Sequence, residues 1–222
     1  HPPSFRAEAL SREALDIRRE VYGPDHADVA GVLNSYATML SRKGDGQAAL
    51  RIYRDFVRTM EAIHDGPHDD LAAGYHNLAT TLKEEGEPEE AEEYFYKSLA
   101  VQDEVLRENH PNRAFSRVGL ASLYRDSARY TEAEALLREA LAIRRLGLPP
   151  GHRHIGEVLS NLGATLMDLD RFMEAEPYLV EAYDLLMEAE GPDAGRTRSA
   201  RTRLVRLYES TGRPALAEAL TA

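Results

Sequence analysis

The chain has 222 residues, a net charge of −11 and 43% hydrophobic content, which is ample for a buried core. It has no cysteine, so a disulfide framework, a thiolate metal site and a cysteine nucleophile are excluded. Its acidity argues against non-specific nucleic-acid binding, which needs lysine and arginine to neutralise phosphates. No run reaches the roughly 18 uninterrupted apolar residues of a membrane span. The N-terminus does not read as a signal peptide, and the expected location is cytoplasmic.

In chain order, His1-Pro2-Pro3 reads as a loop, and the first helical stripe runs from Ser4 to Val21. It carries Ala7, Ala14, Leu15 and Ile17 and exits through Gly23-Pro24-Asp25. His26 then opens a 42-residue segment that recurs at His68, His110, His152 and Ala194, the last copy running off the end. The chain thus divides into 1–25, 26–67, 68–109, 110–151, 152–193 and 194–222. A fixed period of this size marks a solenoid, a propeller or an array.

Spacing inside the copies selects helices. Val29, Val32, Leu33, Tyr36, Ala37 and Leu40 recur at three- and four-residue steps, one stripe of a 3.6-residue helix. A breaker follows at Gly44, Gly86 or Gly212, and then a second stripe such as Ala49, Ile52, Tyr53, Phe56, Val57 and Met60. Pro88 and Pro214 stand at the first position of that second helix, where a missing N–H costs nothing. No run alternates with period two, so a propeller is excluded.

The first copy predicts helices over Asp28–Lys43 and Gln47–Ile63, the second over Asp69–Glu85 and Pro88–Leu106. The third predicts Asn112–Ser127 and Tyr130–Leu146, with an atypical, stiffer exit through Leu146-Gly147-Leu148-Pro149-Pro150-Gly151. The fourth predicts Arg153–Leu169 and Phe172–Ala189, unbroken despite Pro177. The fifth predicts Gly195–Ser210 and a short helix from Pro214 to Leu220. Its Arg196, Arg198, Arg201, Arg203 and Arg206 suit the polar cap that a solenoid needs, the alternative being a site for an acidic partner. The acidic run from Glu84 to Glu93 reads as a solvated turn and helix start, the alternative being a docking site for a basic partner.

Small residues recur where paired helices must approach. They are Ala37, Ala79, Ala121 and Gly163 in the first helix, and Ala49, Ala91, Ala133, Ala175 and Ala217 in the second. Tyr53, Phe95, Leu137 and Leu179 follow that alanine by four residues, and Ser98, Ala140 and Ala182 come three later. This pattern resembles the tetratricopeptide repeat. The period and phrases such as Gly23-Pro24-Asp25-His26 and Glu174-Ala175-Glu176-Pro177-Tyr178 are similar to the long, kinesin light chain-like type. The Glu134–Leu141 composition looks like its bacterial members. The resemblance implies an all-α, right-handed α-solenoid of antiparallel helix pairs. It also implies that the opening helix lacks its partner, as in a fragment of a longer protein.

No phosphate-binding glycine loop, nucleophile elbow or H-E-x-x-H motif occurs, so no enzyme activity and no cofactor are expected. His26, His68, His110 and His152 fall where helices start, which explains them better than chemistry does. His64 with His68, and His152 with His154, lack a third metal ligand, so no metal site is expected.

What remains is the groove that the first helices line in such arrays. Projecting the family's arrangement onto a helical period selects Asn34, Thr38, Ser41 and Arg42, then His76, Thr80 and Lys83. It further selects Val118, Ser122 and Arg125, then Ser160 and Met167, and finally Arg206. Asn77 and Asn161, one column over, are expected to bridge neighbouring helices. The implied function is a non-catalytic scaffold for a protein or peptide partner, with Arg42, Lys83 and Arg125 placed to meet acidic side chains. Neither nucleic acid nor membrane insertion is expected. The alternatives are a regulatory C-terminal portion of a signalling enzyme, such as a bacterial serine/threonine kinase, and a homo-oligomer formed through the unpaired first helix.

Overall fold

The computed structural model describes residues 3–221, with side chains from Ala7 onward. The described residues form eleven α-helices and no strand. They fall into two compact units, divided between Arg107 and Glu108. The first unit holds α1 (Pro3–Tyr22), α2 (Ala27–Lys43), α3 (Gly46–Ile63), α4 (Asp69–Glu84) and α5 (Pro88–Val105). The second holds α6 (Arg113–Asp126), α7 (Tyr130–Gly147), α8 (Arg153–Asp168), α9 (Phe172–Glu190), α10 (Gly195–Ser210) and α11 (Pro214–Ala219). Within each unit consecutive helices pack as antiparallel pairs joined by short turns.

Local chemistry sets the helix starts. His26, His68 and His152 are the N-caps of α2, α4 and α8. Each accepts at Nδ1 the backbone N–H two residues on, at 3.1, 3.2 and 3.2 Å. An unprotonated imidazole nitrogen thereby does what a serine or aspartate oxygen does at other helix starts. His110 makes the same contact with the Asn112 N–H at 3.3 Å, one turn ahead of α6. The recurring histidines are helix-start residues.

The ends are set by left-handed residues. Gly44, Gly86 and Gly212 have φ of 84°, 85° and 71° after α2, α4 and α10. In the third and fourth copies the same place is held by Ala128 and Asp170, both at φ 58°. The chain makes one turn geometry whether or not glycine supplies it. Pro88 and Pro214 open α5 and α11 as expected. α9 runs through Pro177 unbroken. The predicted loop at the N-terminus is corrected in part: Pro3 opens α1, and His1 and Pro2 lie outside the described residues.

The core of each unit is a seam of small and large side chains. Ala37, Ala49, Ala79 and Ala91 are at most 0% exposed, against Leu33, Leu40, Phe56, Leu82 and Phe95 in the first unit. Ala121, Ala133 and Ala175 play the same part in the second, where Gly163 sits beneath Leu179. Close packing of this kind is what small residues at both helices allow. Leu15 of α1 is buried within the first unit, where α1 packs on α2, whereas Leu10, Ile17 and Val21 stay exposed on the other side of the helix.

Charge also enters the second unit's interior, which the sequence pattern did not anticipate. Arg144 on α7 is 1% exposed and donates to the His154 carbonyl at 2.6 Å and to Glu157 at 3.2 Å. Its guanidinium also lies 5.3 Å from the Phe115 ring centre. Burial lowers its pKa, and Glu157 opposes that shift. Glu134, 5% exposed, accepts from Arg171 at 2.7 Å and also pairs with Arg138. These are buried charges with partners, the only form in which burial is tolerable.

Candidate binding face

In the first unit the selected residues line one side of α2 and α4. Thr38 bonds the Asn34 carbonyl at 2.8 Å and shares a 3.0 Å hydrogen bond with the Tyr53 hydroxyl, which ties it to α3. Burial raises the Tyr53 pKa. The Asn77 amide reaches the Asn34 side-chain oxygen at 3.5 Å, so Asn77 does bridge two first helices. His76 meets the Phe95 ring edge-on at 5.8 Å, and Thr80 donates to the His76 carbonyl. Ser41 and Lys83 are half-buried and Arg42 is exposed. Between α2, α3 and α4 lies a cavity of about 200 Å³, lined among others by Gly31, Asn34, Phe56, Met60, Asp70 and Ala73.

The second unit departs further from expectation. Val118 and Ser122 are half-buried on α6 and Arg206 is exposed on α10. Ser160 and Met167, however, are only 3% and 6% exposed. They belong to the packing of α8 rather than to open surface: α8 packs against α7, α9 and α10, and Arg203 of α10 reaches Ser160. Arg125, expected to await an acidic ligand, is held by Asp168 on α8, Nε to Oδ2 at 2.5 Å. Its charge is already met by a carboxylate from the next first helix.

The residue missed by the sequence projection is Arg203. It sits in the column of Asn77 and Asn161, and its Nη1 donates to Ser160 Oγ at 2.7 Å and Asn161 Oδ1 at 2.9 Å. Asn161 therefore does bridge helices, with an arginine as its partner. Arg203 is half-buried, and burial, then the nearby charge of Arg125, push its pKa down to about 10. Reading the bridging column through to the fifth copy would have found it. The cavity it faces, about 210 Å³, is lined among others by Glu157, Ser160, Leu186, Arg196 and Ser199.

The paired histidines are ring contacts: His64 stacks on His68 at 4.0 Å, and His152 lies 5.1 Å from His154. Among the described residues no set of three His, Cys, Asp or Glu side chains is grouped to hold a metal. No helix among them is long and apolar enough to cross a membrane.

The family model described as tetratricopeptide repeat matches residues 5–62, 70–145 and 154–220. Among solved structures, the chain resembles BtubC (BKLC) from P. vanneervenii, with a TM-score of 0.83 at 19% identity over 99% of this chain and 89% of that one. It also resembles the nearly identical TPR-like repeats of a Podosopora anserina protein of the kinesin light chain kind. There the TM-score is 0.71 at 23% identity, over 85% of this chain and 90% of that one. A third resemblance is to the Cut9–Hcn1 hetero-tetramer of the APC/C, at a TM-score of 0.70 and 15% identity, over 97% of this chain and 36% of that one. At these identities the likeness carries the fold alone. No curated protein matches the sequence.

Proposed function

Because the chain belongs to the tetratricopeptide repeat family, we propose that it is a non-catalytic interaction module whose first helices take up extended peptide segments. The observation that carries this reading is one cavity recurring at one register in both units. Gly31, Asn34, Met60, Asp70 and Ala73 line it in the first. Glu157, Ser160, Leu186, Arg196 and Ser199, each three 42-residue periods further on, line it in the second. A feature repeated by the fold while its side chains change suits a reader of sequence. Asp70 and Arg196 share a column, so the two cavities favour side chains of opposite charge. Exposed Arg42 and Arg206, with Thr80 and Lys83, supply further polar contacts along the same faces. We read the repeats as long, kinesin light chain-like units starting at His26, His68, His110, His152 and Ala194.

The test is a displayed peptide library selected on the wild-type protein and re-scored on Ala73→Phe and Ser199→Phe. Both positions are exposed at a cavity rim, and circular dichroism verifies folding. Selected peptides should lose binding to one or the other variant. Peptides that bind both variants as they bind wild type would sink the reading.

A second reading, self-association through α1, is favoured by the exposure of Leu10 (56%), Ile17 (52%) and Val21 (63%) on one helix. Light scattering on the wild type and on Ile17→Asp tests it: a dimer abolished by the substitution supports it, and a monomer at micromolar concentration removes it.

A further inference from the structure

Helix α9 packs on α8 through Leu179 and Leu186, which lie against Gly163 and Gly156. Its other side carries Pro177, Val180 and Leu185 beneath an open cavity of about 750 Å³ that extends to Gly151, in the turn before α8. Four carboxylates rim this apolar floor: Glu176, Glu181, Asp184 and Glu188. Two of them are engaged from neighbouring segments. Glu176 accepts from Arg213 at 2.7 Å, and Glu181 from Arg145 at 2.7 Å. Asp184 and Glu188 are exposed and make no hydrogen bond or ion pair among the described residues.

This side of α9 is built against the preferences of an isolated helix. Glu181, Asp184 and Glu188 follow one another at three- and four-residue steps, where like charges repel. The last turn of α9 holds no basic residue, although the negative end of a helix favours one, and Glu188 stands there instead. Pro177 has no N–H for the Met173 carbonyl, which therefore lacks its regular helical donor. A cationic partner would offset each of these features.

We propose that this groove docks a basic amphipathic helix of a partner protein, with apolar side chains in the cavity and lysine or arginine on Asp184 and Glu188. The surface belongs to a second helix, so the inference goes beyond peptide uptake by the first helices and does not depend on it. The apolar floor makes the site, and the carboxylates set the sign of its partner. From Glu176 to Glu188 the groove runs along about 18 Å of helix, the length of about three turns of a docked one. The same rim repels a nucleic-acid backbone and an anionic lipid surface.

The experiment measures fluorescence anisotropy with three labelled helical peptides. One carries a leucine stripe at three- and four-residue spacing flanked by arginines. The second has glutamate in place of each arginine, and the third has the residues of the first scrambled so that the stripe is lost. The wild type should bind the first at least tenfold more tightly than either of the others. Asp184→Lys/Glu188→Lys should weaken that binding at least tenfold, whereas Glu13→Lys/Glu20→Lys, the same change of charge on exposed positions of α1, should change it less than twofold.

Val180→Ser keeps the charge, removes part of the floor and should weaken binding at least threefold. Ser199→Phe, on the face of the first helices, should leave it unchanged. Circular dichroism verifies that each variant folds. No binding of the first peptide, equal binding of the scrambled one, equal weakening by the two charge reversals, or indifference to Val180→Ser would each overturn the proposal. A wild-type dimer that Asp184→Lys/Glu188→Lys converts to a monomer in light scattering would give the groove to a second copy of this chain and overturn it as well.

Discussion

Gly163 on α8 and Leu179 on α9 approach so closely that a Cβ on the glycine would lie 2.5 Å from the leucine Cγ and 3.3 Å from the Ala175 carbonyl oxygen. The equivalent positions in the first three copies are alanines with 0–1% exposure, and only the fourth needs a glycine there, so α8 and α9 approach more closely than an alanine allows. Gly163→Ala should therefore lower stability by about 1–3 kcal/mol through overpacking. That loss outweighs the gain of about 1 kcal/mol that alanine brings to a helix interior. Gly31→Ala, on an exposed stretch of α2 with nothing within 4 Å of the new Cβ, should raise stability by up to about 1 kcal/mol. Urea midpoints of the two variants should move in opposite directions. Movement in the same direction would show that helix propensity, not helix approach, decides this column.

The turns after α6 and α8 place Ala128 and Asp170 at φ 58°, a conformation that costs an L-residue roughly 1–2 kcal/mol. Ala128→Gly should relieve most of that strain and stabilise the protein by about 1 kcal/mol, net of the entropy glycine adds to the unfolded chain. Asp170→Gly should gain less, because aspartate tolerates the left-handed region better than alanine. Ala135→Gly, at an exposed site inside α7, should cost about 1 kcal/mol and serves as the control. Thermal denaturation of the three variants reads the order directly.

The histidine caps predict a substitution pattern unlike that of a metal ligand. At His68, which accepts the Asp70 N–H, alanine should cost about 1 kcal/mol and asparagine close to nothing, since asparagine offers an oxygen at the same place. A metal-binding role would make both substitutions equally harmful and would make zinc raise the melting temperature of the wild type. Differential scanning fluorimetry with and without zinc distinguishes the two outcomes.

At the joint between α7 and α8, burial first, and the charge of Arg144, depress the pKa of His154 below its ordinary value of 6.5, while Glu157 pulls it the other way. The folded state thus binds this proton more weakly than the unfolded chain does. Stability from this group is complete above about pH 6.5 and declines as the pH falls below it, until the folded-state pKa is passed. Glu157, its pKa lowered from 4.5 because Arg144 and His154 outweigh desolvation, adds a second loss at more acid pH. A pH series of urea midpoints should show two stages, and His154→Asn should flatten the first and only diminish the second, because Arg144 still holds Glu157. A first stage unaltered in that variant would assign it to other groups.

Much of this molecule is legible along the chain because its determinants are local and repeated. Helix periodicity, the alanine columns, the prolines at helix starts and the unbroken run through Pro177 each depend on residues within one or two turns, and the 42-residue period displays them several times over. The turn after α6 was harder to read, since Ala128 takes a left-handed geometry that glycine usually announces. The faces of the first helices were legible only as positions. Whether Arg125 stands open or is neutralised by Asp168, whether Ser160 faces solvent or lies beneath α10, and which arginine of α10 turns inward are settled by side chains some 42 residues apart. Tertiary packing alone decided these points, because a charge reaches a partner on the next first helix only once the intervening second helix has fixed the distance and register between them.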